Sequence, residues 1–144
     1  MKKWLYAAAL IALGLLTRLP HPARDIAKLE PVQLVYIYKE AGSLCIETDT
    51  DHRGTGRDLS EAAADLRSKA DGEIFLETAE FLLLDPDVTV AADFFTLLRP
   101  GAGVVYTGER PDLTAAAEYL SIHPPEHTLR ELRKYLPQGE RGRP

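Results

Sequence analysis

Asp49, Asp51 and His52 lie within four positions of one another and run directly into Gly54-Thr55-Gly56 and Asp58. Oxygen and nitrogen ligands beside paired glycines could hold a metal ion or cradle a phosphate. A calcium loop of the EF-hand kind needs oxygen ligands at its first, third and fifth positions, glycine at the sixth and glutamate at the twelfth. Counting from Asp49, Asp51 and Gly54 fit, but Arg53 is fifth and Ser60 twelfth. A cation and a hydroxyl in place of two key ligands argue against a metal. A phosphate loop needs G-x-x-x-x-G-K-[ST], which does not occur. From Gly54 a dinucleotide pattern would place Leu59 where the third glycine belongs. Free amides at a following helix start could draw an anion, but Asp58 would repel it.

Other arrangements carry even less chemistry. There is no G-x-S-x-G elbow, and Ser43, Ser60, Ser68 and Ser121 have no base nearby in sequence. His123 and His127 are four apart, a spacing that binds metal on a helix, but Pro124 and Pro125 interrupt any helix between them. Cys45 is the single cysteine, so no internal disulfide forms, and its place between Leu44 and Ile46 predicts a half-buried strand thiol. The expectation is a protein without catalytic residues, metal or cofactor. The Asp49–Asp58 stretch then serves structure: Gly54, Gly56, Asp58 and Glu61 build a loop and the start of a helix. The alternative is a small secreted ligand-binding or enzyme domain that uses that loop.

The surrounding elements follow from spacing. The segment 31–40, rich in Val, Ile and Tyr, predicts a central strand, and 43–49 a second strand joined to it by a Glu-Ala-Gly turn over 40–42 as an antiparallel hairpin. After a Gly-Thr-Gly turn, Leu59, Ala62, Ala63, Leu66 and Ala70 form one apolar helical stripe, with Asp58 as N-cap and Glu61 completing a capping-box pair. Asp71-Gly72 supplies the stop. Residues 73–85 read as extended, most clearly from Ala79 to Leu84. A second helix is predicted over 87–98 and a strand over 103–108. Pro111 opens a third helix with Leu113, Ala116, Ala117 and Leu120 inward, and a short helix carries Leu129, Leu132 and Leu136. The expected fold is a single-domain α/β (α+β) sandwich over 31–137. A mixed sheet of about four strands is packed by three to four helices, followed by a disordered tail over 138–144.

Charge divides the chain. The net charge is −5, and Lys2, Lys3 and Arg18 make the first eighteen residues +3, leaving −8 on the rest. An acidic body excludes nucleic acid as a partner, since phosphate binding needs clustered Lys and Arg. Between the lysines and Arg18 the run Trp4–Thr17 carries no charge. As a helix it reaches about 21 Å, short of the roughly 30 Å hydrocarbon layer. Snorkelling by the flanking cations and local thinning let such a helix span. No small-residue cleavage site follows, so residues 1–19 are expected to remain as a signal anchor, with cleavage as the second possibility. The basic N-terminus places the body outside the cytoplasm, joined by a juxtamembrane approach over 20–30.

Several segments together carry a family likeness. "RDIAKLEPVQLVYIYKE", "GTGRDLSEAAADLRSKADGEIFLETAEFLLLD" and "DFFTLLRPGAGVVYTG" resemble the N-terminal domain of the Ger(x)C family, the C subunits of bacterial spore germinant receptors. The likeness covers roughly 23–136. It runs from a charged approach and first strand through a G-x-G helix start with Glu61-Ala62 to Arg99 and the strand Val104–Gly108. It implies a membrane-tethered interaction module in sporulation or germination, at the spore inner membrane. Its partners would be the membrane subunits of a germinant-receptor-like complex. It brings no catalytic residue. Family members carry an acylated cysteine just before this domain; here that region reads "RLPHPARD".

Overall fold

Strand-forming residues in this chain alternate between two apolar faces, so the sheet they build must be covered on both sides. The computed structural model describes residues 29–136. The expected signal anchor over 1–19, most of the expected approach over 20–30 and the expected tail over 138–144 lie outside that range. The molecule is mixed α/β. Its main sheet has five strands in the order β4-β3-β2-β6-β7, formed by β2 (Leu34–Glu40), β3 (Ser43–Thr48), β4 (Arg53–Gly56), β6 (Phe81–Leu84) and β7 (Gly103–Tyr106). Pairing of β2 with β3 and of β3 with β4 is antiparallel, whereas β6 runs parallel to β2 and to β7. A separate parallel pair joins β1 (Leu29–Pro31) to β5 (Glu73–Phe75). Four helices complete the described residues: α1 (Leu59–Lys69), α2 (Phe94–Leu97), α3 (Leu113–Ile122) and α4 (Leu129–Leu132).

One face of the sheet presents Val35, Ile37, Leu44, Ile46, Leu82, Leu84 and Val104 to the larger apolar cluster. There they meet Leu59, Ala62, Ala63 and Leu66 of α1, together with Phe94 and Leu129. The opposite face presents Leu34, Tyr36, Phe81 and Leu83 to Ala117 and Leu120 of α3. The period-2 alternation of β2 and β6 therefore feeds two cores. The β2–β3 hairpin closes through Ala41 and Gly42, both at positive φ (50° and 81°), the conformation a tight two-residue hairpin turn requires.

The observed elements differ from the sequence reading in several places, β1 among them, since Leu29 and Glu30 lie in the segment read as an approach. Gly54-Thr55-Gly56 is part of strand β4, not a turn, and only Arg57 and Asp58 separate it from α1. The segment 87–98 is helical only at Phe94–Leu97. The Asp85 carboxylate accepts the Asp87 N–H at 2.9 Å, and the Asp85 carbonyl accepts the Val88 N–H, so a local turn wins over a run rich in β-branched residues. Residues 73–85 break into β5, a 3-10 turn at Leu76–Thr78 and β6. Pro111 stands before the N-cap of α3; Asp112 is that cap, accepting the Ala115 N–H at 3.0 Å.

Candidate functional site

The two glycines of β4 explain how the Asp49–Asp58 stretch is built. Gly54 pairs with Ile46 and Gly56 with Leu44, so both face the larger core. A Cβ on Gly54 would lie 2.1 Å from the Ala62 carbonyl oxygen, and one on Gly56 would lie 2.4 Å from the Ala62 nitrogen. The glycines let the backbone of α1 lie directly against the strand. Asp58 caps the helix, its carboxylate accepting the Glu61 N–H at 2.8 Å. Glu61 reaches back to the Arg57 N–H at 2.6 Å and also binds the Arg57 guanidinium, a capping box shifted by one residue. At the same helix start Asp93 accepts the Leu59 and Ser60 N–H groups at 3.0 and 3.3 Å. The amides that could have met an anion already hold carboxylates.

Asp49 and His52 are taken up by separate partners. Asp49 accepts the N–H groups of Gln33 and Leu34, each at 3.2 Å to Oδ1, and so ties the β3–β4 turn to the start of β2. Asp51 sits at φ 62° at the tip of that turn. His52 Nε2 lies 2.5 Å from Glu30 Oε2, beside β1. Among the described residues no three His, Cys, Asp or Glu side chains stand where they could hold a metal ion together. His123 lies near the Tyr119 carbonyl and His127 meets Glu131 at 3.1 Å, so the two linker histidines have different partners.

The most concentrated polar site is one the sequence reading did not single out. Tyr36 of β2, Glu47 of β3 and Arg53 of β4 are direct cross-strand partners on the α3 side of the sheet. Because α3 covers β2 and β6, the β3–β4 half of that face opens into a cleft of about 720 Å³. Glu47 lines it with its side chain only 7% exposed. Its Oε1 accepts the Tyr38 hydroxyl at 2.6 Å, and its Oε2 accepts Arg110 Nε at 2.8 Å and Nη2 at 2.7 Å. Arg53 Nε stands 3.7 Å from Oε1, while its Nη2 also pairs with Glu40. The Arg53 guanidinium lies 5.8 Å over the Tyr38 ring, and Tyr38 stacks on Tyr36 at 4.8 Å.

These contacts set the protonation states. Burial and the hydrogen bond to Glu47 push the Tyr38 phenol well above the ordinary tyrosine range, so it remains a donor. Burial, then the Asp85 and Glu47 carboxylates, raise Tyr36 as well. The result is a charge-compensated lock. It fastens the β7–α3 loop, through Arg110, to the C-terminal end of β3. Cys45, in the next row of this face, is fully buried rather than half-buried, with its sulfur 3.8 Å from Arg53 Nη2. Glu47 is the direct cross-strand partner of Tyr36 and the diagonal neighbour of Tyr38, a relation that follows only once the register of the hairpin is fixed. Arg110 is 63 positions from Glu47 and carries no local signal at all.

Comparison with known protein families, with curated proteins and with solved structures returns no match for this chain. Among the described residues no helix is long and apolar enough to cross a membrane.

Proposed function

We propose that this chain is a membrane-anchored, extracytoplasmic interaction module, similar in role to the first domain of a germinant-receptor C subunit. It acts in sporulation or germination beside membrane-embedded subunits. One division within the chain carries the reading. The uncharged run Trp4–Thr17 lies between Lys2-Lys3 and Arg18, while both faces of the sheet already receive helices from within residues 29–136. The run is shorter than the hydrocarbon layer, but snorkelling by Lys2, Lys3 and Arg18 lets it span, and helices from within 29–136 already pack on both faces of the sheet. The charge bias across the run sets the domain outside.

The alternative, a small ligand-binding or enzyme domain using the Asp49–Asp58 loop, is weakened by the hydrogen bonds that occupy Asp49 and Asp58. The anchor is tested on the full-length protein. It should pellet with membranes, resist high-salt extraction and show an intact N-terminus by mass spectrometry. A mature chain beginning near residue 20 would make it a secreted domain. The germination role is tested by isolating the protein from spore membranes with its neighbours cross-linked. Recovery without any multi-pass subunit would remove that assignment.

A further inference from the structure

Helix α3 carries two apolar stripes on ten residues. The inner stripe, Leu113, Ala116, Ala117 and Leu120, packs on the sheet. The outer stripe, Ala115, Tyr119 and Ile122, recurs at i, i+4 and i+7 and faces solvent, with Tyr119 61% and Ile122 74% exposed. Tyr119 is held in place by stacking on His123, ring centroids 4.5 Å apart. A helix apolar on both sides is suited to burial on both, and tyrosine is among the residues enriched at the energetic centres of protein contacts.

The rim around this stripe is acidic. Glu109, Asp112, Glu118 and Glu126 are all exposed. Asp112 caps the helix, and the described ion pairs give Glu109, Glu118 and Glu126 no cation. Over 109–126 the basic residues are Arg110, whose guanidinium is bound to Glu47, and His123. Charge therefore selects the occupant. A second copy would set acidic rim against acidic rim, and an anionic lipid surface would be repelled in the same way. A basic partner gains on both counts.

We propose that the outer face of α3 docks a helix of a partner protein whose apolar stripe is flanked by lysine or arginine. The proposal rests on the interaction-module reading and names its surface. At about 15 Å, α3 offers room for close to three turns of contact, with Tyr119 and Ile122 as the central anchors.

The test uses two synthetic helical peptides with the same leucine stripe, one flanked by lysines and one by glutamates. Each is titrated into full-length protein in zwitterionic nanodiscs, with empty nanodiscs as the baseline. The lysine peptide should bind at least about tenfold tighter than the glutamate peptide, and a Tyr119→Ser/Ile122→Ser double variant should lose most of that binding. Both side chains are exposed, so the variant keeps the wild-type melting curve. Equal binding of the two peptides, or unchanged binding by the double variant, overturns the proposal. Self-association abolished by Ile122→Ser would also overturn it, in favour of a second copy. Failure of the membrane-pelleting test with peptide discrimination intact would remove the anchor and leave the docking surface standing.

Discussion

Gly54 of β4 lies so close beneath α1 that a Cβ there would stand 2.1 Å from the carbonyl oxygen of Ala62. The obstacle is helix backbone, which no rotamer change can move aside. Gly54→Ala should therefore destabilise the protein by at least about 2–3 kcal/mol, the upper part of the range for overpacked cores. Denaturant midpoints for the wild type and variant measure this. A variant with unchanged midpoint would mean that α1 can lift from the strand freely. Gly108 has nothing within 4 Å of its own Cβ position, so Gly108→Ala is the neutral control.

Asp58 acts through its cap. Asp58→Ala removes the acceptor for the Glu61 N–H and should lower stability by about 1 kcal/mol, while Asp58→Asn should recover most of it. Equal losses in the two variants would point to the charge rather than the hydrogen bond.

Glu47→Gln keeps an oxygen for Tyr38 but removes the charge that holds Arg110. The expected loss is about 1–3 kcal/mol, as for hydrogen bonds to charged groups. A second readout separates this from a general packing defect. With the carboxylate gone, the Tyr38 phenol should titrate closer to ordinary tyrosine in an ultraviolet absorbance titration. In the wild type its raised pKa contributes stability that is complete below the ordinary tyrosine pKa and is lost as pH rises through the folded value. An unaltered Tyr38 titration in Glu47→Gln would remove Glu47 as a cause.

Acid should loosen the β4–α1 junction. Lys69, then the Thr55 amide, hold the Asp65 carboxyl below the ordinary aspartate range, and Arg57 holds Glu61 below that of glutamate. A depressed folded-state pKa contributes stability that is present above the unfolded value and disappears as pH falls through the folded one. Melting temperature should thus hold level from about pH 5 to neutrality and fall below about pH 4. Asp65→Asn should flatten that acid limb. It should also increase exchange at the Thr55 amide on the exposed edge of β4, because Asp65 Oδ2 accepts that N–H at 2.8 Å.

Local pattern was enough for elements whose faces are decided by their own neighbours. The hairpin of β2 and β3, the stripe and cap of α1, the apolar run of β6 and the inner stripe of α3 all follow from spacing and turn chemistry within a dozen residues. Such signals arise because one period, 2 or 3.6, sets which side chains share a face. Only the folded chain decided the rest. Two glycines read alone suggest a turn; they become strand β4 because α1 packs against them, a steric fact absent from the local string. Val88 is buried, yet its segment is not helical, because the Asp85 carboxylate and carbonyl close a turn first. The pairing of β1 with β5 joins segments 44 positions apart. The cleft required Arg110 to cross from beyond β7 to a glutamate on β3. A cation on a loop has no periodicity to betray its partner, so that contact exists only once the sheet order brings the two strands and the loop together.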